Sequence, residues 1–300
     1  MRWQWRRRWF QWGAWLLAGG VLALCVWGFV WEPSQLVERD HVLRLADWTP
    51  GCEGLRVDVL ADIHTGSPHN GVEKLDRIVR TVAEGDADVV LLAGDYVILS
   101  VFMGEYVPAD VVAEHLRPLT ARKPVYGVLG NHDWWKDGHK VRASMQAAGV
   151  TMVDNRSVPV SVRGCEFWLA GIGDLWEGRP DIAAAYSGIP DDGRPVVALT
   201  HNPDLFPQLP ARTSLLVAGH THGGQVTLPL FGSIVDPSKL GDRYASGHVE
   251  EGGEHVFVSP GLGTSILPVR FGIPPEMSRL TLLRGAADAT ARRLDARERE

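Results

Sequence analysis

Short apolar runs along this chain end again and again in polar turns that carry histidine or aspartate. Residues 55–60, 89–93, 125–129, 195–199 and 215–218 are dominated by Val, Leu, Ile and Ala, the pattern of buried strands bounded by turns. Between the first two runs, Val72, Leu75, Ile78, Val79 and Val82 recur at helical spacing, which predicts a helix over 71–84. A second helix is predicted over 140–148, a strand over 150–153, a hairpin over 157–172 turning near Gly164, and β-like runs at 36–45 and 256–258. Strands alternating with helices make an α/β protein. The expected architecture is two packed mixed β-sheets with helices on their outer faces. The polar turns should gather at one sheet edge, because ligands on loops after buried strands leave the sheets themselves packed.

Residues 13–31 break this pattern: the run is uncharged and rich in Leu, Val, Ala and Trp. About 20 such residues at roughly 1.5 Å each span the hydrocarbon core of a bilayer. Seven of the 12 Trp fall within the first 31 residues, near both ends of the run, as in an aromatic belt. A single transmembrane anchor is therefore expected in the inner, cytoplasmic membrane, rather than a buried core helix. Arg2, Arg6, Arg7 and Arg8 precede the run and Glu32, Glu38 and Asp40 follow it, which places the N-terminus in the cytoplasm and the body on the periplasmic side. Arg7-Arg8-Trp9-Phe10 reads equally as a twin-arginine export signal or as plain positive-inside charge. No small-x-small cleavage site follows, so the anchor is expected to stay attached.

The net charge of the chain is −6, and the four arginines before an acid-free run leave the rest strongly acidic. That body argues against general nucleic-acid binding, which needs dense Lys and Arg. Phosphate substrates stay open, because bound metals supply local positive charge. Cys52 and Cys165 lie outside the anchor and form no C-x-x-C pair, so two unpaired thiols are expected, a bridge in an oxidising compartment being the alternative.

The chemistry concentrates in five islands: Asp62-Ile63-His64, Gly94-Asp95, Gly130-Asn131-His132-Asp133, Thr200-His201-Asn202 and Gly219-His220-Thr221-His222. Each alone has an ordinary explanation. Asp95 could cap a helix, His64 and His201 could be satisfied buried histidines, and Gly130-Asn131 is a common turn. Together and in order they supply the hard oxygens and borderline nitrogens of a two-metal centre, and with no thiolate present the set suits Mn, Fe or Zn alike.

The islands resemble the calcineurin-like metallophosphoesterases, whose signature reads D-x-H, G-D, G-N-H-D/E, a lone H, and G-H-x-H. The likeness runs from about residue 55 to 283. It implies a four-layer α/β/β/α sandwich and two divalent ions. Asp62, His64 and His222 would hold one ion, Asn131, His201 and His220 the other, with Asp95 bridging. His132 would protonate the leaving oxygen and Asp133 would fix its tautomer. Ile98 departs from the pattern, standing where many members carry a second Asp that is not a usual ligand. Residues 259–263 and 270–276 resemble the closing segment of a membrane-anchored bacterial branch.

The expected layout is a basic cytoplasmic N-terminus (1–12), the anchor (13–31), a linker with the first strand (32–54), the phosphoesterase domain (55–283) and a charged tail (284–300). The expected reaction is hydrolysis of a phosphodiester, monoester or pyrophosphate by hydroxide shared between the ions, on a membrane or envelope substrate, a lipid-linked one among the candidates. UDP-2,3-diacylglucosamine hydrolysis and a non-catalytic metal-binding scaffold are the alternatives. No protein partner can be inferred. Two stretches are candidates for substrate choice. Trp134-Trp135-Lys136 follows His132 and could offer a ring to a substrate or close as a lid on the core. For 99–106, with Phe102 and Met103, packing at the start of a helix is favoured over an apolar lip beside the bilayer.

Overall fold

The structure, a computed structural model, describes residues 2–228, 230–235 and 238–285, with side chains from Arg8 onward. The charged tail expected beyond Arg284 lies, from residue 286 on, outside the described residues. The chain begins with α1 (Arg2–Val26), continues through a π-helical turn (Trp27–Trp31) and ends the helical stretch in α2 (Glu32–Ser34). Arg8–Ser34 is long and apolar enough to cross a membrane, and its side chains are almost all exposed.

Strands follow as β1 (Val37–Leu45), β2 (Leu55–Leu60), β3 (Val89–Leu92), β4 (Val125–Gly127), β5 (Thr151–Met152), β6 (Arg156–Val162) and β7 (Cys165–Gly171). The remainder are β8 (Val196–Leu199), β9 (Thr213–Ala218), β10 (Thr227–Leu228), β11 (Gly232–Ser233), β12 (Gly247–Glu251), β13 (Glu254–Val258) and β14 (Glu276–Arg284). One sheet runs β1-β14-β2-β3-β4-β5 and the other β12-β13-β9-β8-β7-β6, while β10 and β11 form a separate ribbon. β1 pairs along its full length with β14, so the sheet takes in a strand that the expected boundary at residue 55 leaves in the linker.

Four layers result. Val59, Leu91, Leu169, Leu199, Val217 and Phe257 meet between the sheets. Helices α3 (Val72–Glu84), α4 (Ala109–Thr120) and α5 (Asn131–Ala147) bury their apolar stripes on the outer face of the first sheet. The outer face of the second is covered by α6 (Ile182–Ser187) and the 3-10 turn Pro203–Gln208, through Ala185, Leu205 and Phe206. The helix expected over 140–148 starts instead at Asn131 and carries a kink at Asp137. Its first turn is polar because it faces a site rather than a core, which hid it from hydrophobic periodicity.

Cys52 and Cys165 form a disulfide, with Cα atoms 4.3 Å apart, which corrects the expectation of free thiols. Cys52 closes the 3-10 turn Pro50–Cys52 just before β2, and Cys165 is the first residue of β7. Within the first sheet β2, β3 and β4 run parallel to one another, and within the second β8 and β9 do. Their C-terminal ends therefore collect at the opposite end of the sandwich. The polar turns meet there, across both sheets, and not at a sheet edge as expected.

Candidate metal centre

Asp62 and His64 leave the end of β2, Asp95 the end of β3, Asn131 and His132 the first turn of α5 after β4, His201 the end of β8, and His220 and His222 the end of β9. All are buried. Five of them hold left-handed backbone: Asp62 (φ 49°), His64 (43°), Asp95 (57°), His220 (74°) and His222 (53°). Such conformations cost on the order of 1–3 kcal/mol each away from glycine, and they cluster where function over-determines the backbone. The glycines that seal the islands have a steric reason. A Cβ on Gly219 would lie 2.6 Å from Asp62 Oδ2, and one on Gly130 would run into the Asp95 carboxylate.

Asp62, His64 and His222 offer one ligand atom each within 4.8 Å of one another, as do Asp62, Asp95 and His201, and as do His64, Asp95 and His132. His64 Nε2 lies 3.2 Å from His222 Nε2 and 3.4 Å from Asp95 Oδ2. Asn131 Oδ1 lies 3.1 Å from His201 Nε2 and 3.0 Å from His220 Nδ1, while Asp95 Oδ2 is 3.3 Å from His201 Nε2. The tautomers follow from the carbonyls behind. His64 Nδ1 donates to Val97 O at 3.2 Å and His201 Nδ1 to Ala93 O at 2.7 Å, so each ring turns Nε2 inward. Carboxylate and amide oxygens and imidazole nitrogens thus converge at 3.0–3.4 Å on one another, an arrangement that suits a cation. The donor set therefore fits a pair of divalent ions, with Asp95 reaching both histidine groups.

The titration behaviour points the same way. Burial pushes the Asp62 carboxyl up to about 7, with His201 opposing it, and lowers His64 and His220 to about 3. Burial would also raise Asp95, but the charge and hydrogen bond of His201 win and hold it well below the usual carboxylate range. Burial would lower His201 as well, but the Asp95 carboxylate beside it wins and raises it well above its usual range, so the two carboxylates among neutral His64 and His220 draw positive charge to this point.

Asp133 does not touch the His132 ring. Its carboxylate accepts from the backbone N–H groups of Asp95 (2.9 Å), Gly130 (2.9 Å), Tyr96 (2.9 Å) and Val97 (3.3 Å). It therefore shapes the loop that presents Asp95, and its expected part in setting the tautomer of His132 is corrected. Leu99 N–H takes that part, donating to His132 Nδ1 at 3.4 Å, so the ring proton sits on Nε2, 3.3 Å from Ser265 Oγ.

A cavity of about 460 Å3 opens above the cluster, with Asp95, Asn131, His132, His220 and His222 on its floor. Trp135 lines it, with its ring centroid 5.0 Å from His132, and Trp176 stands edge-on to His220 at 4.4 Å. Trp134 packs instead against the core of the first sheet, so the two neighbouring rings divide the roles weighed for them. Ile98, at the position of the missing Asp, is buried.

Two supports escaped sequence reasoning. Arg270 is fully buried, and its guanidinium donates to the carbonyls of Pro260 (2.9 Å), Gly261 (3.2 Å), Gly263 (2.6 Å) and Ile273 (3.1 Å). It thereby braces the turn that packs against Asp62 and His64. Asp174 accepts from Trp176 N (2.9 Å) and Glu177 N (2.8 Å) and so fixes the Trp176 loop. A lone Arg among Gly and Pro was the available signal for the first; nothing local marked the second.

Comparison with known proteins agrees with this geometry. Residues 55–224, more than half of the chain, match the family model described as calcineurin-like phosphoesterase. The chain is 30% identical to the uncharacterized metallophosphoesterase YkuE of Bacillus subtilis, over 89% of this chain and 93% of that protein. It is 30% identical to the phosphodiesterase YaeI of Escherichia coli, over 80% of this chain and 86% of that protein. A transmembrane protein with metallophosphoesterase domain from Danio rerio is 32% identical, over 86% of this chain and 60% of that protein. The chain belongs to the calcineurin-like metallophosphoesterase family.

Proposed function

We propose that this metallophosphoesterase hydrolyses a phosphate ester of a membrane or envelope molecule, with two divalent ions (Mn, Fe or Zn) at the floor of the cavity. Asp62, His64 and His222 hold one ion, Asn131, His201 and His220 the other, and Asp95 serves both. When bound, such a pair supplies an activated water and a clamp for the phosphoryl oxygens. His132 presents its Nε2–H to the cavity and gives that proton to the departing oxygen. Asp133 keeps Asp95 in place through the backbone. The observation that carries this reading is the convergence of the Nε2 atoms of His64 and His201 on Asp95 Oδ2, at 3.4 and 3.3 Å.

The phosphodiesterase name of the Escherichia coli relative supports a diester, with monoesters and pyrophosphates as the wider class. The test is hydrolysis of bis-p-nitrophenyl phosphate by the full chain with added Mn2+. Two equivalents of metal bound without turnover of any mono- or diester would leave a metal-binding scaffold. Filled positions throughout the donor set argue against that scaffold.

The disulfide between Cys52 and Cys165 supports a catalytic body on the oxidising, periplasmic side, in line with the Arg cluster before the anchor. It also weighs against UDP-2,3-diacylglucosamine, a substrate made inside the cell. A reporter fused after Gly285 that is active only in the cytoplasm would reverse both statements.

A further inference from the structure

The loops around the cavity's mouth carry no charge and turn apolar tips outward, against the ordinary sorting of side chains. Residues 97–104, 226–235 and 259–269 contain no Asp, Glu, Lys or Arg. Phe102 is 65% exposed, Phe231 81% and Ile266 75%, with Met103, Leu230 and Ile234 beside them in the same loops. The three loops form one surface. Phe102 N–H donates to Ile266 O at 2.9 Å, Ile234 N–H to Val226 O at 2.9 Å, and Val226 bridges to Phe271. Ile266, although β-branched, adopts φ 62°, a conformation that packing at a core would not select. Contiguous exposed apolar surface of this kind marks an interaction site.

The same surface is continuous with the anchor. Arg270 N–H donates to Gly28 O at 2.9 Å, and a methyl on Gly28 would touch Val269 Cγ2 at 3.5 Å. Glu32 takes Trp27 Nε1–H on one carboxylate oxygen and Ile273 N–H on the other, both at 2.6 Å. His69 Nε2 adds a contact to Phe29 O at 3.0 Å. The last turns of the membrane-length helix are thus fastened to residues 269–273, which follow directly on the cavity wall at Ile266, Leu267 and Val269. Whatever solvent surrounds the anchor's end also meets the rim.

From this geometry we infer that the cavity seats the hydrocarbon chain of a membrane-resident phosphoester, while the loops at 99–103, 230–235 and 265–269 dip into the bilayer beside the anchor. The inference rests on the phosphoesterase reading and specifies its substrate class: an amphiphile whose phosphate lies next to an alkyl or acyl chain. The cavity has the two halves such a molecule needs. Its floor is the donor cluster, and its upper wall is Val226, Ile234, Val235, Ile266, Leu267 and Val269. Its volume of about 460 Å3 falls within the roughly 300–1,000 Å3 of small-molecule clefts.

The test uses the full chain in lipid nanodiscs, loaded with Mn2+, and compares methyl, butyl and hexyl p-nitrophenyl phosphates with bis-p-nitrophenyl phosphate as soluble reference. KM is expected to fall about tenfold or more from methyl to hexyl, since each buried CH2 adds to binding. Leu267→Asp is expected to flatten the series. Phe102→Asp with Phe231→Asp, outside the cavity wall, is expected to keep the turnover of the soluble reference and to lower turnover of a hexadecyl analogue in vesicles by about tenfold. A KM independent of chain length in the wild-type protein, or vesicle turnover untouched by the double variant, overturns the inference. Absence of turnover on every substrate would count against the phosphoesterase reading alone. Calorimetric binding of hexylphosphonate against methylphosphonate then still decides the hydrocarbon seat, equal affinities refuting it.

Discussion

At the floor of the cavity, carboxylates and imidazoles are buried facing one another; at its rim, Phe102 and Phe231 stand 65% and 81% exposed. Both regions invert the usual partition of polar and apolar groups, in opposite directions. Each inversion is relieved by a specific kind of partner. The floor's donor set suits cations, and the rim suits the hydrocarbon proposed above. The two are also held differently. The floor hangs from the ends of parallel strands in both sheets, whereas the rim consists of loops stitched to one another and to the end of the anchor.

Changing the floor should have the largest effect. Asp95→Asn is expected to lower kcat/KM by more than about a hundredfold, beyond what outer-shell changes cost, with metal lost on elemental analysis; vesicle association should be unaltered. Retained metal would show that Asp95 is not shared by the ions. His132→Asn should keep both metals and slow turnover by about 10²–10⁴-fold, the usual contribution of a positioned acid, and most for poor leaving groups. Equal losses across leaving groups would remove His132 from that role.

The supports come next. Cys52→Ser opens the bond that joins the sheets and should cost about 2–4 kcal/mol in thermal or denaturant unfolding. No change in midpoint under oxidising conditions would mean that the bond adds nothing to the sandwich. The smallest effect lies at the joint between anchor and body, where Lys74 Nζ donates to Pro33 O at 3.3 Å. Burial, with Arg270 and Arg77 adding to it, lowers this ammonium from 10.5 to about 7. Between those values the unfolded chain carries the proton and the folded one does not, so stability rises with pH across that window, by at most about 1.4 kcal/mol per pH unit. Lys74→Met should remove that slope. A slope unchanged in the variant would assign it to another group.

Strands and ligands were legible because each leaves a local mark: β2 and α3 follow from runs and helical spacing, and the donor residues sit where those runs stop. The rim left no such mark. An apolar stretch such as 99–106 reads identically whether it packs inward or faces out, and packing at a helix start was favoured; Leu99, Phe102 and Met103 are in fact exposed. Contacts between distant residues were equally hidden. Asp133 stands next to His132 in sequence, yet its oxygens are taken by backbone groups. The pairing of Cys52 with Cys165 spans 113 positions, and proximity in space is the only thing that reveals it. The polar first turn of α5 likewise has no apolar period to betray it.

The bond between Cys52 and Cys165 sits in the turn before β2 and at the first residue of β7, at the end of the sandwich opposite the turns that carry Asp62 and His201. Two plates pinned together at one end separate by rotation, and the gap grows with distance from the pin. In this sandwich any relative swing of the two sheets is therefore smallest at the disulfide and largest at the donor cluster.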